Sequence, residues 1–381
     1  MTPAGPRPGS GVSKVAFSNF GRAIAETRPA LEAALARVLD SGWLILGPEG
    51  QAFEADLARF VGSEQAVGCA SGTDAIELAL RALGVGPNDE VVTQANTCVP
   101  TVAAIARAGA TPVLCDVEGG AATMDPESLE AAIGPRTRAI VPVHLYGQVG
   151  AIEEICQIAA QHSIPVVEDC AQAIGAGVAG RSAGTFGIAG CFSFYPTKNL
   201  GALGDGGAVV SSDLDLVERM RMIRSYGQAS RYEHAIEGIN SRLDEIQAAM
   251  LGAKLPGLDR SNARRREIAN RYRDALLPTG LRPLELLPDR NHVFHLFVVE
   301  TVDRERFRSL LAERGVETLV HYPLPIHLQP AYRQLGAGGV SLAVSEALCA
   351  GIVSLPMYPE LLDEEVEYAV AVAVDAAVAV S

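Results

Sequence analysis

From about residue 65 to residue 169 the chain alternates short apolar runs with amphipathic segments, and no other feature restricts its fold as strongly. Ala66-Val67-Gly68-Cys69-Ala70, Glu90 to Thr93, Thr111 to Val117, Arg138 to Leu145 and Ile164 to Asp169 read as strands. Between them, Asp74 to Leu83, Val99 to Arg107 and Ala151 to His162 carry helical spacing. A strand followed by a crossover helix pairs in parallel with a later strand. The pattern therefore predicts an α/β fold with a mostly parallel sheet covered by helices on both faces. Cys191 to Tyr195 and Gly207 to Ser211 read as two more strands with no long helix between them, which breaks the strict order.

The flanks read differently. Residues 28–40 show helical spacing, and Phe53 to Phe60 a second short helix. A helical stretch from Leu243 to Leu277, broken near Pro256, is followed by a strand at His292 to Glu300, a helix at Arg304 to Arg314 and a strand at Glu317 to Tyr322. A proline-rich loop (Pro323, Pro325, Pro330), a helix and the run Ile352 to Leu355 come next, and Tyr368 to Ser381 read as a closing helix. The expected organisation is a flexible tail over residues 1–14, a large domain over 15–254 and a smaller α+β domain over 255–381.

Of the 381 residues 48% are hydrophobic and 20% charged, a globular composition, and the net charge of −14 argues against nucleic acid or an anionic membrane as partner. The seven cysteines form no C-x-x-C pair, which suits a reducing cytoplasm and neither a zinc site nor a disulfide framework. No uncharged apolar run approaches the ~20 residues of a membrane helix. No metal is expected.

One lysine, Lys198, stands between the aromatic run Phe192-Ser193-Phe194-Tyr195 and the glycine-rich Gly201 to Gly207. An amine in such a desolvated setting has a lowered pKa and is suited to form a Schiff base with a carbonyl. Asp169 ends a strand-like run, where carboxylates in parallel sheets meet ligands. Ser71-Gly72-Thr73-Asp74 opens a helix. By itself it reads as a capping box, but beside the lysine and aspartate it reads as a phosphate cradle of backbone N–H groups at Gly72 and Thr73. A lysine, a carboxylate for a pyridine nitrogen and a helix N-terminus for a phosphate are what pyridoxal 5'-phosphate requires. Gln172 could reach the ring hydroxyl and Ser193 the phosphate. Gly175-Ala176-Gly177-Val178-Ala179-Gly180 matches G-x-G-x-x-G but is followed by loop rather than helix, and so reads as a turn. His321 to His327, with Tyr322 and two prolines, reads as a substrate-contacting loop, and Arg264-Arg265-Arg266 as a solvated helix face.

Together these residues resemble the DegT/StrS family of sugar-nucleotide aminotransferases, which share the type I aminotransferase fold. The matching pieces are Ala70 to Ala75, Val143-His144-Leu145-Tyr146-Gly147-Gln148, Glu168 to Gln172, Phe192 to Gly207 and Asn240 to Glu245, and the likeness spans nearly the whole chain. The resemblance implies that Lys198 holds the cofactor and shuttles protons, and that Asp169 pairs with the ring nitrogen. Gly72, Thr73 and Ser193 would hold the phosphate, and Gln172 the ring hydroxyl. Asn240 would reach the phosphate of a neighbouring subunit, making a homodimer with shared active sites. Tyr195 stands where members acting at C4 show histidine, which points to amination at C3 of a dTDP-3-keto-6-deoxyhexose, with Tyr195, Tyr322 and His327 toward the substrate. Relatives carry an aromatic over the ring after Asn-Thr, whereas Asn96-Thr97 is followed here by Cys98. Lys198 argues against the branch that carries histidine there and deoxygenates sugars.

The reaction implied is a two-stage transamination, in which L-glutamate leaves its amine on the cofactor and a nucleotide-linked keto sugar then takes it. Transamination of a cyclitol or other carbocyclic ketone would use the same residues. A non-catalytic cofactor-binding regulator is the reading from another class, with no DNA-reading helix pair or basic stripe in its favour.

Overall fold

The computed structural model describes residues 12–338 and 341–380. Two helices, α1 (Phe20–Ser41) and α2 (Pro48–Val61), precede the alternating region. That region runs β1 (Gln65–Cys69), α3 (Gly72–Ala82), β2 (Glu90–Gln94), α4 (Val99–Arg107), β3 (Thr111–Cys115), α5 (Pro126–Ala132), β4 (Thr137–Val141), α6 (Ile152–Gln161) and β5 (Val167–Asp169). A small hairpin, β6 (Gly177–Val178) and β7 (Arg181–Ser182), then leads to β8 (Ala189–Ser193), β9 (Gly207–Ser211) and α7 (Leu214–Ile223).

The strands form two ladders, β3-β2-β4 and β5-β8-β9-β1. Parallel bridges Ile140–Val166 and Val143–Asp169 join β4 to β5, so the two continue as one surface. Pairing is parallel except at β9, which runs antiparallel to both β8 and β1. The reversal follows from the missing crossover: only residues 194–206, the lysine loop, connect β8 to β9. Helices bury both faces. Phe53, Leu57, Ile152 and Ile155 pack in one core, and Ile76, Leu80, Ile105 and Met220 in another.

The chain continues through β10 (Gln228–Ser230), β11 (Glu233–His234), α8 (Glu245–Lys254) and α9 (Leu258–Leu276). Then come β12 (Arg282–Pro283), β13 (Arg290–Asn291), β14 (Phe297–Glu300), α10 (Arg304–Glu313), α11 (Ala343–Gly351), β15 (Ile352–Leu355) and α12 (Asp363–Val380). An antiparallel sheet β12-β14-β15 shares a core with Tyr272, Phe307, Val366 and Ala373, and Val15 belongs to this core. The predicted flexible tail lies largely outside the described residues.

Several elements differ from the sequence reading. Helix α1 starts at Phe20, capped by Asn19, eight residues earlier than the spacing over 28–40 indicated, and runs through Pro29. The strand expected over 292–300 is confined to Phe297–Glu300, because Val293 turns aside to bond Gly147. The stretch 317–322 makes a single bridge, Leu319 to Ser354, in place of a strand. The G-x-G-x-x-G segment forms the β6–β7 hairpin.

Candidate active site

Three strand ends converge at the carboxyl edge of the sheet. Asp169 closes β5, Val143 beyond β4 bridges it, and β8 pairs Cys191 with it in parallel register. After β8 the chain turns tightly: Lys198 N donates to Tyr195 O and Ala202 N to Phe194 O, both at 2.8 Å. Gly201 is required there, since a Cβ would lie 2.4 Å from Pro196 O. Asn199 moors the loop. Its Nδ2 donates to Asn262 Oδ1 (2.8 Å) and Val293 O (3.0 Å), and its Oδ1 lies 3.1 Å from His295 Nδ1. The lysine is thereby held on a loop bonded to α9 and to the segment before β14.

Burial lowers the Lys198 pKa against the opposite pull of Cys98 and Asp169. Burial also holds His295 well below the ordinary histidine range and His321 at about 4, each with a smaller push from Lys198. Both imidazoles are thus neutral near pH 7. Asp169 is 4% exposed, and burial raises its pKa. Opposing that shift, Ala171 N donates to Oδ1 at 3.0 Å, Thr101 Oγ1 donates to Oδ2 at 2.8 Å, and Lys198 and His144 add attraction.

The helix start at Gly72 faces the end of β8. A Cβ on Gly72 would lie 2.5 Å from Ser193 Cβ, and one on Gly207 would lie 2.3 Å from Ser71 O. Ser71 caps the helix through Asp74 N (3.1 Å), and first-turn N–H groups such as those of Gly72 and Thr73 have no intrahelical acceptor. The result is an anion cradle pressed against the Ser193 side chain.

Cys98 is the N-cap residue of α4. Its thiol pKa is raised by burial and lowered by a bond with the Tyr322 hydroxyl and by Lys198. Gln172 Nε2 donates to that same hydroxyl at 3.2 Å, and Gln172 Oε1 accepts from Tyr146 N at 2.7 Å. Tyr146 and Gly147 both have positive φ (61° and 107°), and a Cβ on Gly147 would meet Val293 and the His295 backbone. The His-Leu-Tyr-Gly motif is therefore the turn that fits the sheet edge to the segment carrying His295.

Lys198, Asp169, Cys98, Gln172 and Tyr322 come together, as do Gly72, Thr73 and Ser193. Tyr195 (53% exposed) and Asn240 lie at the surface. His327 is buried with its Nε2 2.9 Å from Glu346 Oε1. Of the Arg264–Arg266 run expected on a solvated face, Arg265 is buried and donates through Nη1 to the carbonyls of Phe294, His295 and Met357. The sequence reading also missed Thr101 and Asn199. Thr97 and Thr101, one helical turn apart, were the signal for the first, and the asparagine beside the lysine for the second.

Glu168 explains its place in the Glu-Asp pair. Its oxygens accept from the N–H groups of Gly184, Phe186 and Gly187 (2.8, 2.7 and 2.7 Å) and from His144 Nε2 (2.9 Å). His144, Glu168 and Cys170 lie within metal-ligating distance of one another, but the carboxylate is committed to these donors and burial keeps the Cys170 thiol protonated. The cluster clamps the loop before β8.

A half-buried lysine and a buried aspartate beside a helix-borne anion cradle, on an α/β fold of this topology, fit the class of enzymes that work through a lysine-held carbonyl cofactor. The chain belongs to the DegT/DnrJ/EryC1/StrS aminotransferase family, whose model matches residues 26–374. It is 45% identical, over 94% of its length and 98% of the relative's, to the erythromycin biosynthesis sensory transduction protein EryC1 of Saccharopolyspora erythraea. It is 46% identical to the dTDP-3-amino-3,4,6-trideoxy-alpha-D-glucose transaminase of Streptomyces venezuelae, covering 91% of this chain and 92% of that one. The fold matches the crystal structure of S. venezuelae DesV in complex with a ketimine intermediate at a TM-score of 0.94 and 43% identity, covering 96% and 99% of the two chains. The protein is an aminotransferase.

Proposed function

We propose that this aminotransferase uses pyridoxal 5'-phosphate to move an amino group from L-glutamate to C3 of a dTDP-3-keto-6-deoxyhexose. The half-buried Lys198 and the buried Asp169, each within electrostatic reach of the other, carry the reading. The cradle supports it, because the Gly72–Ser193 contact leaves no room for a Cβ and brings backbone N–H groups toward an anion. The named substrate of the S. venezuelae transaminase supports the dTDP-linked sugar and the position of amination.

When bound, pyridoxal phosphate supplies a ring that draws electrons from the carbon bearing the amine. Gly72, Thr73 and Ser193 would hold its phosphate, Asp169 its ring nitrogen and Gln172 its hydroxyl, with Cys98 beside the ring. Lys198 is the residue that bonds the carbonyl and, once released, holds and returns the proton at the amine-bearing carbon. Its lowered pKa favours the neutral amine that both tasks need. Neutral His295 and His321 leave the lysine without a competing cation close by. Tyr195, Tyr322 and His327 belong to the sugar side, His327 by fixing its loop to Glu346.

The active unit in this reading is a homodimer. Trp43 (58% exposed), Leu44 and Ile45 lie beside Asp244 at the start of α8, and Leu203 bonds Gln247 of the same helix, so exposed apolar groups gather there. Such a patch calls for a partner, and a second copy would bring Asn240 to the neighbouring phosphate. Among the described residues no helix is long and apolar enough to cross a membrane; all seven cysteines are unpaired, which fits a reducing compartment such as the cytoplasm.

Adding L-glutamate to the cofactor-loaded protein should bleach its visible absorption band, and the keto sugar should restore it. A band indifferent to glutamate removes that donor, and turnover by Lys198→Ala removes the lysine. Light scattering of Trp43→Glu should show a smaller particle than the wild type; a monomeric wild type refutes the dimer.

A further inference from the structure

We infer that Thr101, backed by Thr97, is a positioning residue that holds Asp169 in the orientation and charge state the cofactor ring needs. The inference rests on the pyridoxal phosphate reading above. Thr101 Oγ1 donates to Asp169 Oδ2 at 2.8 Å across 68 positions of sequence, and Thr97 Oγ1 lies 2.9 Å from Thr101 Oγ1. All three side chains are buried, with Thr101 1% exposed, Thr97 2% and Asp169 4%.

The direction of the chain follows from counting hydrogens. An ionised carboxylate only accepts, so the single hydroxyl hydrogen of Thr101 goes to Asp169. Thr101 Oγ1 then has only lone pairs to offer Thr97, and Thr97 must be the donor. The order is Thr97 to Thr101 to Asp169, each bond polarising the next in a low-dielectric interior. Ala171 N takes the other oxygen at 3.0 Å, so the carboxylate is fixed at both ends.

The same hydrogens favour the ionised form, against the burial that raises the Asp169 pKa. A buried carboxylate tends toward its neutral acid, and a fixed hydroxyl donor resists that. The other titratable groups facing Asp169 are the Lys198 amine, the His144 imidazole and the thiols of Cys98, Cys170 and Cys191. The thiols have raised pKa values and are neutral near pH 7. Lys198 is the group that changes covalent partner during turnover. The threonine pair offers Asp169 a partner that stays constant through the cycle. Thr101 sits in the first turn of α4, whose N-terminal dipole favours a negative charge, and Thr97 just precedes the helix.

The test is a double-mutant cycle read by pyridoxal phosphate binding to the apoprotein and by the pH titration of the visible band. Thr101→Val keeps the shape and removes the donor. It should weaken cofactor binding roughly 10- to 100-fold and move the band's titration, while Thr101→Ser restores both. Thr97→Val should give a smaller change in the same direction. In an Asp169→Asn background Thr101→Val should add little, because the charge it serves is gone. Thr101→Val with wild-type affinity and an unmoved titration overturns the inference, as does a full additive loss in the Asp169→Asn background. Should Thr101→Val not fold, Thr101→Ser and Thr97→Val still decide: a serine variant as impaired as an alanine one refutes the role of the hydroxyl. A wild-type protein that binds no pyridoxal phosphate overturns the cofactor reading, and is recognised by failing before any variant is compared.

Discussion

Replacing Glu168 with glutamine separates a structural carboxylate from Asp169 beside it, the residue proposed to face the cofactor ring. Oε1 accepts from Phe186 N and Gly187 N, and Oε2 from Gly184 N and His144 Nε2. A glutamine amide can keep its oxygen on only one of these pairs. If the oxygen stays with Phe186 and Gly187, the new NH2 points at the Gly184 N–H, donor against donor. The ring of His144 can adapt by changing tautomer, but the Gly184 N–H cannot. One buried backbone donor is then unsatisfied, at about 1–3 kcal/mol, and the surviving bonds lose the charge that strengthened them. The expected destabilisation is about 3 kcal/mol, a large share of the stability of a typical domain. Urea unfolding of the cofactor-free protein, monitored by circular dichroism, measures it through the shift in midpoint at constant slope. Glu168→Gln within ~0.5 kcal/mol of wild type would refute the clamp, because that is the range of an ordinary surface substitution. Glu168→Leu, which strands all the donors, should fail to fold.

Two further expectations concern pH. The folded pKa of Lys198 lies below the 10.5 of an unfolded lysine, so between the two values the unfolded chain binds a proton that the native chain lacks. Stability of the apoprotein therefore rises with pH through that window. Lys198→Met should be more stable than wild type near pH 7, by a margin that closes as pH approaches 10.5; urea midpoints across pH check this, and a constant margin refutes it. His321 titrates at about 4 in the fold against 6.5 unfolded, so its contribution is complete above pH 6.5 and is lost as pH falls toward 4. The loss is at most about 3 kcal/mol. Thermal unfolding of His321→Gln, whose amide can still reach Ser354, should show a shallower decline over that window, and an unchanged slope would count against buried neutral imidazole.

Much of this protein is legible locally. The strand and helix alternation survives within a residue at β2 and α4, and β5 keeps its end at Asp169 but starts three residues late, because period and propensity are properties of short windows. Lys198, Asp169 and the Gly72 helix start announce themselves through their immediate neighbours, and the absence of a helix between β8 and β9 signalled a break in the strict order, which the structure resolves as an antiparallel β9. Other features depend on which distant segments arrive, and no short window holds that information. Arg265 lies in a run that looks solvated, yet it is buried because the carbonyls of Phe294, His295 and Met357 converge on it. Residues 292–295 have strand-like composition but spend their backbone on Gly147 and Asn199. Val15 joins a core built mostly from residues beyond 268. The sequence alone determined the chemistry available and the layers that carry it. Tertiary structure decided the charge state and aim of that chemistry, because burial and hydrogen-bond geometry arise only when residues as far apart as Thr101 and Asp169 share one enclosed site.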